Sequence, residues 1–145
     1  MNINIIAASL IKDVSINSLI NEYKKRLSII KLSVTQFDDK NLKKDQINKK
    51  IFELCPSSSY KILLDEKGKL LSTNDLNKFL LKIPNKEISF LIGGADGFND
   101  VSRANADTII SLSPLTFPHQ IARLILIEQI YRMQTLITNH PYHRN

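Results

Sequence analysis

The chain has 145 residues, 43% hydrophobic and 23% charged, with a formal net charge of +6. That length suits one domain, residues 1–145, able to bury roughly two-thirds of its unfolded surface, so folding needs neither a disulfide nor a metal. A lone cysteine, Cys55, excludes an intramolecular disulfide and suits the cytoplasm; no apolar run approaches the ~18–20 residues of a membrane helix; and the positive balance favours an anionic partner, either nucleic acid or an acidic surface.

The opening MNINIIAASLIKD has no basic leader and no long apolar stretch, so Ile3, Ile5 and Ile6 predict a first strand rather than a signal peptide. Asp13 or Ser15 offers a cap for a helix carrying Ile16, Leu19, Ile20, Tyr23 and Leu27. Lys24, Lys25 and Arg26 fall in its last turns, where cations suit the helix dipole. Residues 30–37 alternate apolar and polar as a half-buried strand does. A lysine-rich stretch then enters a helix through Ile47, Ile51, Phe52 and Leu54, which Pro56 and three serines end. Residues 60–64 predict a strand, 65–68 a loop, and Ser72 or Thr73 caps a helix with Leu76, Phe79 and Leu80 that Pro84 stops. Residues 88–92 form a continuous apolar run, the mark of a central strand buried on both faces. Alternating strands and helices give an α/β class with a mostly parallel sheet flanked by helices.

Sixteen of the 20 basic residues lie at or before Lys86. Lys24, Lys25, Arg26, Lys31, Lys43, Lys44, Lys49 and Lys50 predict either one phosphate-gripping face or a plain solvated lysine surface.

The last third reads as a small-molecule cradle, an interface helix and a reactive terminus. Gly93-Gly94 follows the buried strand directly, where α/β sheets bind ligands and where a missing Cβ lets a ligand reach the backbone; a plain turn is the alternative. Neither the dinucleotide fingerprint nor the phosphate-loop pattern is present. A second short strand, 109–112, leads into Ser113-Pro114-Leu115-Thr116-Phe117-Pro118, which two prolines stiffen; it serves either an adenine edge through its backbone or structure alone. From His119 a helix carries Ile121, Ala122, Leu124, Ile125, Leu126, Ile127, Ile130, Tyr131 and Met133, more than one stripe, so its own chain or a second subunit must cover the excess. The terminus Asn139-His140-Pro141-Tyr142-His143-Arg144 is unusually dense in functional groups for a chain end, with a plain disordered tail as the alternative. Its histidines lack metal-site spacing, so no metal is expected, and acid–base or anion-stabilising chemistry fits better.

Together these residues resemble one family, the RlmH family of ribosomal large-subunit pseudouridine N3-methyltransferases in the SPOUT (α/β-knot) superfamily. The carrying motifs are Leu91-Ile92-Gly93-Gly94-x-x-Gly97, Leu112-Ser113-x-Leu115-Thr116-Phe117-Pro118-His119, Ile127-Glu128-Gln129-x-Tyr131-Arg132, the terminus, and Glu22-Tyr23-x-Lys25-Arg26-Leu27. The resemblance spans essentially the whole chain. It implies a deep C-terminal trefoil knot forming an S-adenosylmethionine pocket from Leu64, Gly93, Leu112, Ser113, Pro114, Leu115, Thr116 and Phe117. It implies a homodimer in which the partner's tail completes each site. The implied reaction is methylation of N3 of a pseudouridine in 23S rRNA on assembled 70S ribosomes. Tyr142, His143 and Arg144 are the candidate catalytic residues, with His140 a second candidate base, and Lys24, Lys25 and Arg26 are candidate RNA contacts. The chain departs from the family pattern at Ala7-Ala8-Ser9, where glycine is usual, and at Ala95-Asp96, where Pro-Glu is common. Its middle is also shortened. A SPOUT methyltransferase for another RNA and a ribosome-binding protein without catalysis are the competing readings.

Overall fold

Strand β1 (Asn2–Ala8) buries Ile3, Ile5, Ile6, Ala7 and Ala8 together, which is possible only where both faces of a sheet are covered. The computed structural model describes residues 1–144 and places this strand inside a five-stranded sheet of order β2-β1-β4-β3-β5. The other strands are β2 (Lys31–Phe37), β3 (Tyr60–Leu70), β4 (Glu87–Ile92) and β5 (Thr108–Ser111), and every pairing among the five is parallel. The helices between them are α1 (Val14–Arg26), α2 (Lys44–Leu54), α3 (Thr73–Lys82), α4 (Asp100–Asn105) and α5 (His119–Ile137). None of the described helices is long and apolar enough to cross a membrane.

The two-residue period of a strand sorts the core into two layers. Ile3, Ile5 and Ala7 face α1, α3 and α5, whereas Ile6 and Ala8 face α2 and α4. Central β4 is buried from Ile88 to Ile92, as its apolar run predicts, and that run includes one buried polar residue, Ser89. Asp13 and Ser72 cap α1 and α3 by accepting the N–H of Ile16 and Asp75.

Three features differ from expectation. Helix α4 had no apolar stripe to announce it; its signals are local, an Asn99 cap accepting from Ser102 N–H, with Asp100 in its first turn and Arg103 in its last. Strand β3 does not stop at Leu64. Residues 65–68 form an irregularity after which pairing resumes, so that Leu64 and Lys69 both lie opposite Ile110. The lysines do not make one face either: those of α1 belong to one layer and those of α2 to the other, because the two helices cover opposite faces of the sheet.

Helix α5 is the longest, and 19 residues at 1.5 Å per residue span about 27 Å. It buries Leu126, Ile127, Ile130, Tyr131 and Met133 within its own chain, but leaves Leu136 and Ile137 exposed and Ile121, Leu124 and Ile125 half-buried. Its far end is tied to α1 by buried Gln134. The side-chain oxygen accepts from Ser28 N–H (2.8 Å) and Ile29 N–H (3.1 Å), and the amide donates to the Arg26 carbonyl (2.9 Å).

Candidate active site

At the carboxyl ends of β3, β4 and β5 lies a cavity of about 550 Å³, well within the range of small-molecule sites. Leu64, Gly93, Leu112, Ser113, Leu115, Thr116 and Phe117 all line it. Of the eight residues proposed for the cofactor, only Pro114 does not; it is exposed on the outside of the loop. The loop is held by its own hydroxyls as well as its prolines. Ser111 Oγ donates to the Ser113 carbonyl (2.9 Å), and Ser113 Oγ accepts from Leu115 N–H (3.0 Å). The opposite wall is a tight turn in which Gly97 N–H donates to the Gly94 carbonyl (3.0 Å). Gly97 has φ +70°, a conformation that disfavours any residue with a Cβ.

Four residues at or near this cavity, Asp65, Arg103, His119 and Arg123, were not among the candidate site residues. Asp65 and Arg103 both line it, and the Arg103 Nε and Nη2 both donate to one Asp65 oxygen (3.1 and 2.9 Å). His119 lines it from the first turn of α5. One turn further, Arg123 is wholly buried; its guanidinium donates to Gln36 Oε1 (2.8 Å) and the Ala8 carbonyl (2.9 Å). Burial, partly offset by Asp39, pulls the Arg123 pKa down to about 10, so it remains a cation at neutral pH. Partners of these groups lie 38 to 115 residues away in the chain, beyond the reach of any spacing pattern.

The tail sits elsewhere. Helix α5 ends in a Schellman turn: Asn139 adopts φ +55°, and the N–H groups of His140 and Asn139 donate to the carbonyls of Thr135 (2.8 Å) and Leu136 (3.4 Å). This folds the tail back onto α5 and α1. Tyr142 O–H donates to Glu128 (3.0 Å), lies 3.3 Å from the Tyr23 hydroxyl, and its ring packs edge-on against Tyr131. The Arg132 guanidinium stands 5.0 Å from the Tyr142 ring centre, and its Nε donates to Glu128 (2.6 Å). Burial first, then the bonds to Tyr23 and Glu128, raise the Tyr142 pKa, so the phenol stays protonated and acts as a donor. Arg132 Nη1 lies 3.2 Å from His143 Nδ1. A guanidinium can only donate, which assigns the His143 proton to Nε2, a buried nitrogen without a partner among the described residues. His140 Nδ1 accepts from Tyr142 N–H (3.2 Å), and Arg144 is exposed. Arg26 lies over the Tyr23 and Tyr131 rings, and Lys24 and Lys25 are exposed beside it. The candidate catalytic and RNA-contacting groups are therefore gathered at one end of the molecule.

Comparison with known proteins settles the family. The family described as "Predicted SPOUT methyltransferase" matches residues 1–143. A ribosomal RNA large subunit methyltransferase H from Prochlorococcus marinus (strain MIT 9312) is 43% identical over 141 residues, covering 97% of this chain and 94% of that protein. The chain belongs to the RlmH family of SPOUT methyltransferases. A protein of the same name from Fusobacterium nucleatum is 37% identical over 99% of this chain and its own full length. Among solved structures, a probable methylase family protein from Haemophilus influenzae shares the fold, with a TM-score of 0.61 over 99% of this chain and 70% of that one, at 8% identity.

For a SPOUT methyltransferase this geometry has one consequence. The cavity touches the first turn of α5 at His119 and Ala122, while the tail folds back over Glu128, Tyr131 and Arg132, about 14–20 Å beyond His119 along the helix axis. Within one chain, the candidate cofactor residues and candidate catalytic residues do not meet.

Proposed function

We propose that this protein uses S-adenosylmethionine to methylate N3 of a pseudouridine in 23S rRNA, acting on assembled 70S ribosomes as a homodimer. The observation that carries the reading is the cavity itself. It is walled by the residues that the family resemblance assigns to the cofactor, in a chain 43% identical over 97% of its length to a protein named for ribosomal RNA methylation. The residues fit the donor: Leu64, Leu112, Leu115 and Phe117 offer apolar walls for a purine, and exposed Asp96 offers a carboxylate to hydroxyls or to positive charge, Asp65 being taken by Arg103. The bound donor supplies a methyl group made electrophilic by a sulfonium.

The nucleophile is N3 of the RNA base, and this chain must orient it and remove its proton. N3 holds a proton at neutral pH, which must leave as the N–C bond forms and the C–S bond breaks. A positioned base contributes roughly 10²–10⁴-fold. In the docked tail the His143 Nδ1 lone pair is engaged by Arg132, so His143 takes that proton only after parting from Arg132; His140 is the second candidate. Arg144 is free to neutralise the charge that develops on the base, and Tyr142, a neutral phenol, stacks on it or donates to it. Lys24, Lys25 and Arg26 beside the tail attract the RNA backbone.

The length of α5 supports the dimer. A two-fold pairing that sets two α5 helices antiparallel brings each tail to the partner's cavity and covers Ile121, Leu124 and Ile125. The trefoil knot implied by the family belongs to the same proposal, with residues 112–118 as its cofactor-facing loop. Methyl transfer from labelled S-adenosylmethionine to 70S ribosomes lacking the modification, with mass mapping, tests the whole reading. Methyl on pseudouridine N3 of 23S rRNA is expected. Cofactor binding without transfer would redirect the search to another RNA, and absence of both would favour a ribosome binder without catalysis.

A further inference from the structure

The turn formed by residues 93–97 walls the cavity, yet its glycines have the widest backbone freedom of any residue. Internally it is closed by the isolated Gly94–Gly97 bridge, with Gly97 N–H on the Gly94 carbonyl. Its shape must therefore be fixed from outside, and one side chain does this. Asn48 on α2 is 2% exposed and does not touch the cavity. Its Nδ2 donates to the Gly97 carbonyl (3.1 Å) and the Lys44 carbonyl (2.8 Å). Its Oδ1 accepts from Asn99 N–H (2.9 Å) and Ser102 Oγ (2.8 Å). Both donors and both acceptors of the carboxamide are used. The same side chain thus anchors α2 to the glycine turn and to the cap of α4.

We propose that Asn48 is a positioning residue that holds the glycine turn in the shape that receives the methyl donor. This rests on the cofactor reading above. No isostere replaces it: a carboxylate at this position faces two carbonyl oxygens, and a leucine takes from the half-buried Asn99 N–H and Gly97 carbonyl the partner Asn48 supplies.

The test uses full-length protein with Asn48→Ala, and Ser102→Ala as the milder variant that removes one of the four bonds. Hydrogen–deuterium exchange is measured without cofactor, and S-adenosylmethionine affinity by calorimetry. In Asn48→Ala the amides of residues 97–102 should exchange about tenfold faster while β1 and β4 keep their protection, and the cofactor Kd should rise about tenfold. In turnover, KM for S-adenosylmethionine should rise with kcat nearly unchanged; a merely structural role lowers the active fraction, hence kcat, and leaves KM alone. Ser102→Ala should move both readouts the same way by less, and it decides the matter if Asn48→Ala does not fold. Unchanged exchange at 97–102, or faster exchange with unchanged cofactor affinity, overturns the proposal. Wild-type protein that does not bind S-adenosylmethionine overturns the cofactor reading and this inference with it, an outcome visible before any variant is made.

Discussion

Ser9 follows β1 with φ +74°, in the left-handed region that costs an ordinary residue about 1–2 kcal/mol. Its hydroxyl donates to Asp39 at 2.7 Å, and hydrogen bonds to charged groups contribute about 1.5–3 kcal/mol. The departure from glycine was legible in the sequence, but the compensating bond, 30 residues away, was not. Ser9→Ala keeps the strain and loses the bond, so it should cost about 1.5–3 kcal/mol in urea melts. Ser9→Gly loses both and should lie within about 1 kcal/mol of wild type; equal losses in the two variants would refute the strain. His119 carries a second residue-scale consequence. Burial, then the charge of Arg123, lower its pKa against a weaker upward pull from Asp39. The folded chain then binds fewer protons at this site than the unfolded chain, so stability falls as pH drops below about 6.5. His119→Asn should flatten the decline of Tm as pH drops below about 6.5, and identical slopes in thermal melts would remove His119 as its source.

Among the elements, those with a period were readable and those without one were not. The run at 88–92 and the stripe of α5 announce β4 and α5 directly. Helix α4 has six residues and no apolar face to bury, so only its Asn99 cap marks it, and a lone cap residue marks a turn equally well. The resumption of β3 after Gly68 depends on pairing Lys69 and Leu70 with Ile110 and Ser111 of β5, far along the chain. The join of α1 to α5 is likewise a tertiary matter. Gln134→Ala strips partners from two N–H groups and one carbonyl where α1 ends. It should cost about 1–3 kcal/mol and loosen the Tyr23–Tyr142 contact, seen as faster amide exchange at residues 26–29; exchange confined to the tail would place the anchor elsewhere.

At the scale of the whole molecule, the position of the cavity could be read from the order of strands, whereas the separation of tail and cavity within one chain could not. Seven of the eight residues offered for the cofactor share one cavity because they come from neighbouring strand ends, which topology guarantees. The tail's distance from that cavity follows only from the direction of α5. If each site draws on two chains, a protein lacking tail function (Tyr142→Ala with His143→Ala) and one with a blocked cavity (Thr116→Arg) should each be inactive alone. Mixed and allowed to exchange subunits, they should recover about a quarter of wild-type methyl transfer, because half the dimers are mixed and each has one intact site. No recovery despite demonstrated exchange would place a whole site within one chain. The sheet order also bears on how the protein is made. Strand β1 lies between β2 and β4, and β3 between β4 and β5, so a nascent chain that has emerged only as far as Lys86 holds a β1–β2 pair and an orphan β3 with nothing to join them. At roughly 5–20 residues per second, the interval between the emergence of Leu70 and that of Ile92 leaves the half-sheet's apolar edges bare for about 1–4 seconds. Arrested nascent chains should accordingly stay open to protease until β4 has cleared the exit tunnel, and protection before that point would mean an interim partner stands in for β4.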